Sequence, residues 1–115
     1  MSTTVTVRPG DLVRLDPNDK RVIQFDFDTL NLPTGVALSS YTLTITAIRQ
    51  ADAGASLTKD NAGFVTGSSS RKVQARFLAT TATVGDLYEV ECVGVTNESP
   101  AQEKAYSIQV LVQNG

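Results

Sequence analysis

The sequence predicts an all-β fold of two packed sheets, and three observations lead there. Apolar and polar residues alternate with a period of two in run after run, turn-forming residues punctuate those runs at short spacing, and no segment sustains the i, i+3, i+4, i+7 pattern of an amphipathic helix for more than a turn or two. A sheet that is apolar on one face needs a second layer to cover it, and with no helix available that layer must be another sheet. At 115 residues the chain is expected to hold one domain. Residues 1–10 read as an N-terminal arm or edge strand and residues 11–115 as a single β-sandwich.

The elements follow in order. Thr3-Thr4-Val5-Thr6-Val7 is expected to be an edge strand or an arm that pairs with a neighbouring chain, because an unpaired edge is a template for another strand. Beyond the turn signals Arg8-Pro9-Gly10-Asp11 and Asp16-Pro17-Asn18-Asp19, Ile23, Phe25 and Phe27 alternate with Gln24 and Asp26. Leu32-Pro33-Thr34-Gly35 precedes a run in which Tyr41, Leu43 and Ile45 alternate with Thr42, Thr44 and Thr46. The segment Ala55 to Thr66 reads as a hairpin with its tip at Lys59-Asp60-Asn61-Ala62-Gly63, a stretch that tolerates positive φ. Gly67-Ser68-Ser69-Ser70 then opens the run Val73, Ala75 and Phe77 against Gln74 and Arg76. Gly85-Asp86 leads into Tyr88, Val90 and Cys92 against Glu89 and Glu91. Asn97-Glu98-Ser99-Pro100 leads into Tyr106, Ile108, Val110 and Val112 against Ser107 and Gln109. Branched and aromatic side chains of this kind pack well on a pleated surface. Tyr88 stands at the entry to the strand that carries Cys92, where in immunoglobulin-like sandwiches a tyrosine hydrogen-bonds back across the preceding corner. The expected fold class is an immunoglobulin-like antiparallel β-sandwich.

Composition narrows the function classes. An apolar fraction of 41% with 19% charged residues is ordinary globular usage, unlike that of disordered chains. The single Cys92 cannot close an intrachain disulfide, nothing requires an oxidising compartment, and folding in a cytoplasm is expected. The N-terminus MSTTVTVRPGD lacks a basic then apolar leader, and no stretch approaches the roughly 20 apolar residues that span a bilayer, so neither signal-peptide secretion nor membrane insertion is expected. A net charge of −2 with interspersed signs argues against a nucleic-acid-binding face and leaves protein as the expected partner.

Candidate chemistry is sparse. There is no histidine, which removes the commonest general base, the commonest zinc ligand and the Ser-His or Cys-His pairings together. Cys92 falls on an apolar face, where a thiol is inert. Asp26 with Asp28, and Glu89 with Glu91, are two apart and share a strand face; such carboxylates serve acid/base or Ca²⁺ sites, but here read as solvated faces of half-buried strands. Asp16-Pro17-Asn18-Asp19-Lys20 reads as an Asx-type turn rather than a metal loop. Arg71, Lys72 and Arg76 read as a solvated strand end, with an acidic partner surface as the other reading. No GxGxxG or GxxxxGK[ST] phosphate cradle occurs. No residue is assigned a catalytic, cofactor-binding or metal-ligating role, and a non-enzymatic protein with no cofactor is expected. An adhesion or carbohydrate-binding module using the sandwich loops would rely on Phe64, near the supposed hairpin tip.

Four segments, in this order, carry a resemblance. They are Leu15-Asp16-Pro17-Asn18-Asp19 leading into Ile23-Gln24-Phe25-Asp26-Phe27, the stretch Leu30 to Ile45 with its Leu38-Ser39-Ser40 strand entry, Gly85-Asp86-Leu87-Tyr88-Glu89-Val90, and Glu103-Lys104-Ala105-Tyr106-Ser107-Ile108-Gln109-Val110. Together the chain resembles a family of short bacteriophage virion proteins with an immunoglobulin-like fold, described as head decoration, head-fibre or fibre–tail adaptor proteins. It departs from that family in having Phe27-Asp28 where a Trp is common, and in an inserted hairpin near Lys59 to Phe64. The resemblance implies a structural protein of the virion, assembled in the host cytoplasm, acting as capsid decoration or as a tail or fibre adaptor. Its implied partners are the major capsid protein or tail and fibre proteins, with further copies of itself in a homo-oligomer, and neither nucleic acid nor membrane. Self-association is expected through the N-terminal arm and a sheet edge.

Overall fold

The computed structural model describes residues 4–30, 32–51, 57–67, 69–79 and 82–113. Among them are eight strands, β1 (Thr4–Val7), β2 (Leu12–Leu15), β3 (Lys20–Asp26), β4 (Leu38–Arg49), β5 (Thr58–Phe64), β6 (Lys72–Leu78), β7 (Leu87–Thr96) and β8 (Glu103–Val112), with one 3-10 turn at Phe27–Leu30. No α-helix occurs among the described residues. Two four-stranded sheets form, ordered β1-β3-β6-β5 and β2-β8-β7-β4.

Both sheets are mixed, which corrects the expectation of purely antiparallel pairing. β1 runs parallel to β3 with Val5 opposite Ile23, and β2 runs parallel to β8 with Val13 opposite Val110. The cause is topological. Each connection turns the chain back on itself, so strands an even number apart in sequence run the same way. β1, β2, β3 and β4 alternate between the two sheets, which brings such strands side by side at one edge of each. Only β5/β6 and β7/β8 are antiparallel pairs of consecutive strands.

The apolar rows face one another across a single core. Ile23 and Phe25 of β3 and Val73, Ala75 and Phe77 of β6 meet Tyr88, Val90 and Cys92 of β7 and Tyr106, Ile108, Val110 and Val112 of β8. All are buried. Phe25 and Tyr106, from opposite sheets, stack edge-on with centroids 5.5 Å apart, and Phe27 lies 5.3 Å from the same ring. Each large side chain of this kind contributes roughly 1.5–3 kcal/mol when fully buried. The Tyr106 hydroxyl donates to the Val7 carbonyl, so the ring that joins the sheets also holds the end of β1.

Two local expectations are corrected. Thr58–Phe64 is one strand rather than a hairpin about Lys59-Asp60-Asn61-Ala62-Gly63. Asp60 faces Arg76 and Gly63 faces Gln74, so Asn61 and Ala62 together oppose one residue of β6, and Asn61 adopts a φ of 51°. The positive-φ tolerance of that stretch is used for a β-bulge instead of a turn. Ala55, where the supposed hairpin began, lies outside the described residues, as do Thr3, Asn31 and Ser68. β3 stops at Asp26, and Phe27, expected to be the last inward residue of the strand, is buried from the 3-10 turn that follows. β2 was not anticipated: it is four residues long between two turns, too short for alternation to stand out.

Candidate functional site

Of the two carboxylate pairs singled out by spacing, Glu89 with Glu91 shares a strand face and Asp26 with Asp28 does not. Asp28 lies in the 3-10 turn, not on a strand face beside Asp26, and its backbone N–H donates to Asp26 Oδ1 at 3.0 Å. Asp28 is engaged by Arg71, and Asp26 lies 3.9 Å from Lys72 Nζ. Glu89 and Glu91 stand on the outer face of β7, opposite Thr46 and Thr44 of β4. Asp16 builds the anticipated Asx turn, its Oδ1 accepting from Asn18 N at 2.8 Å and its carbonyl from Asp19 N at 2.9 Å. Among the described residues no three acidic or thiol side chains gather at metal-ligand spacing. Cys92 is fully buried on β7 between Leu43 and Tyr106, and burial pushes its thiol pKa up to about 12. Phe64 is half-buried and stacks edge-on against Tyr41 with centroids 5.2 Å apart, so it closes the sandwich between β5 and β4 instead of standing free as a platform.

At one end of the molecule three connections are joined into a single surface. Arg71, expected to be a solvated strand end, donates from Nε to Asp28 Oδ1 at 2.6 Å and from its terminal nitrogens to the carbonyls of Leu32, Pro33 and Val36. Its own carbonyl accepts from Phe27 N at 3.0 Å, and Ser70 O accepts from Leu38 N at 2.9 Å. Ala37 and Asn97 then exchange bonds, Ala37 N to Asn97 Oδ1 at 3.2 Å and Asn97 N to Ala37 O at 2.9 Å. The chain between β3 and β4 is thereby anchored to those between β5 and β6 and between β7 and β8. A planar guanidinium suits this work because it presents five donors in a fixed fork. Periodicity carries no sign of it, since Arg71 precedes the strand it serves.

The opposite end is organised by a buried carboxylate. Asp86, 1% exposed, accepts from Ala51 N at 3.0 Å, from Thr83 N at 3.1 Å and from the Tyr88 hydroxyl at 3.2 Å. The N–H of Ala51 is the chief influence holding its pKa below the usual carboxylate value, with Thr83, Tyr88 and the nearby Arg49 charge adding to it and burial opposing. Tyr88 therefore reaches back across the turn before its strand, as expected, but it meets a side chain there, while Gln50 Nε2 donates to its hydroxyl at 3.3 Å. Burial pushes the Tyr88 pKa up. Asp86 reads as a turn residue in sequence. Its carboxylate's role appears only when the end of β4 is brought beside it.

Each sheet has two outer strands. Thr4–Val7 is an edge strand of its own chain, beside β3. β5 carries an ion pair to its neighbour, Arg76 Nη2 to Asp60 Oδ2 at 2.7 Å. β4 is the longest strand, with Thr42, Thr44 and Thr46 exposed and Ile48 50% exposed near its end.

This geometry defines an all-β protein of two mixed sheets sharing one core. No family model matches the chain, and no curated protein does. Among solved structures its fold is similar to that of the cysteine protease inhibitor EhICP2 from Entamoeba histolytica, with a TM-score of 0.54, 10% sequence identity, and 97% of this chain and 95% of that chain covered. At that identity the likeness is one of fold alone.

Proposed function

We propose that the chain is an immunoglobulin-like β-sandwich serving as a structural protein of a bacteriophage virion, a decoration or accessory protein that stabilises the capsid shell by burying protein surface rather than by catalysis. The observation that carries this reading is where the resemblance falls. Its four segments cover residues 23–26 of β3, 38–45 of β4, 87–90 of β7 and 103–110 of β8, with Leu15 alone from β2. The last three segments fall on β4, β7 and β8, three adjacent strands of one sheet, and a resemblance made of scattered strand-like fragments would have no reason to follow neighbouring strands.

Mass spectrometry of purified particles from a phage encoding this chain tests the reading. The chain is expected in stoichiometric amounts, bound to heads after heads and tails are separated. Its presence on tails alone replaces the decoration role with that of a tail or fibre adaptor, and its absence from both fractions overturns the virion assignment. Inhibition of a cysteine protease by the purified chain would point instead to the activity of the structural neighbour.

A further inference from the structure

We infer that the chain pairs with a second copy of itself through the outer edge of β4, antiparallel and about a two-fold axis at Leu43, joining the β2-β8-β7-β4 sheets of two molecules into one. This goes beyond the virion reading and does not depend on it.

Natural sheets protect their edges with short strands, charges, prolines and bulges. The outer strands here are β1, β5, β2 and β4. β1 and β2 are four residues each, and β5 carries Lys59, Asp60 and a bulge within its length. β4 is different. It runs twelve residues, and from Leu38 to Ile48 it contains neither a charged residue nor a proline. Its register shifts lie between Leu38 and Ser40 and between Ala47 and Arg49, which leaves residues 40–47 regular. Among the described residues its only strand partner is β7.

The inward row is also incompletely covered. Tyr41, Leu43 and Ile45 are half-buried, whereas the residues facing them on β7, Gly94, Cys92 and Val90, are buried. A further strand on the open side of β4 would extend the apolar row and shield its edge.

Self-complementarity identifies that strand as a second β4. Because side chains alternate, only a register that sets odd positions against odd keeps the apolar rows on one side. With the two-fold at Leu43, that residue faces its own copy, Tyr41 faces Ile45, and Thr42 faces Thr44. Aromatic with β-branched and Thr with Thr are favourable cross-strand pairs. Over the regular residues 40–46 this register opposes no charged residue.

Sedimentation of the purified chain over a dilution series tests this. A concentration-dependent dimer is expected, abolished by Thr44→Lys, which places an ammonium on the exposed face of the paired edge while leaving the unfolding midpoint unchanged. Oxidative crosslinking checks the register independently: mixed Thr42→Cys and Thr44→Cys chains are expected to crosslink, and neither variant alone. A chain that stays monomeric up to about 1 mM, as it would if the edge serves a strand of another protein, overturns the proposal. So does a dimer that survives Thr44→Lys, or crosslinking of Thr44→Cys with itself.

Discussion

Gly94 lies directly beneath Leu38: a β-carbon at Gly94 would stand 2.8 Å from Leu38 Cδ2 and 3.0 Å from Cδ1, with Phe27 Cε2 at 3.1 Å. Leu38 is 3% exposed and Phe27 is fully buried, so neither can swing into solvent to make room. The glycine lets the first turn after β3 and the start of β4 settle on the same spot of β7.

Gly94→Ala is therefore expected to destabilise by about 1–3 kcal/mol through overpacking. Denaturant unfolding reads this, and Leu38→Ala in the same chain should recover part of the Gly94→Ala loss by removing the group it strikes. If the two substitutions simply add, the close approach is not the cause.

Arg71→Ala should release the chain between β3 and β4 from the rest of its end of the molecule. Loss of charge-assisted bonds to Asp28 and three carbonyls is expected to cost roughly 1.5–3 kcal/mol. Arg71→Lys should restore little of it, because a single ammonium cannot reproduce the fork. Hydrogen exchange is the more telling measurement: faster exchange at Val36, Ala37 and Leu38, with the amides of β7 and β8 unchanged, is the expected pattern.

Acid should weaken the end held by Asp86. Its folded pKa is depressed, so its contribution is fully present above the unfolded carboxylate value of about 3.9 and is lost as pH falls through the folded value. Asp86→Asn keeps the shape but removes the charge, and is expected to cost roughly 1–3 kcal/mol at pH 7. The stability difference between the two proteins should shrink as pH is lowered past the unfolded carboxylate pKa. A difference that stays constant from neutral pH to pH 3 would show that the carboxylate charge plays no part.

Cys92 provides a probe of unfolding. With no exposure and a pKa raised to about 12, its thiol should resist alkylation at neutral pH in the folded state. Labelling should follow the unfolding transition in denaturant. Fast labelling of the native protein would mean that β7 opens locally.

Alternation alone located the five runs that became β3, β4, β6, β7 and β8, because a half-buried strand writes its burial into every second residue. It placed Ile23, Phe25, Val73, Ala75, Phe77, Tyr88, Val90, Cys92, Tyr106 and Ile108 on inward faces, where they are buried. The Asx turn at Asp16 and the reach of Tyr88 across its corner were legible for a similar reason, being contacts between near neighbours in the chain. The contacts of Arg71 and Gly94 and the bond from Ala51 to Asp86 were not, since each joins residues more than thirty positions apart.

The sequence by itself thus determined an all-β chain, the inward face of most of its strands and, except at residues 59–63, the places where it reverses, since side-chain period and turn chemistry are local properties. Only the tertiary structure decided which sheet each strand joins, and with it the parallel pairs β1/β3 and β2/β8 and the long open edge of β4. Strand order is set by how rows of similar apolar residues fit across a shared core, and many rows here are chemically alike, so the choice among them is made by packing as a whole and leaves no mark on any single stretch of chain.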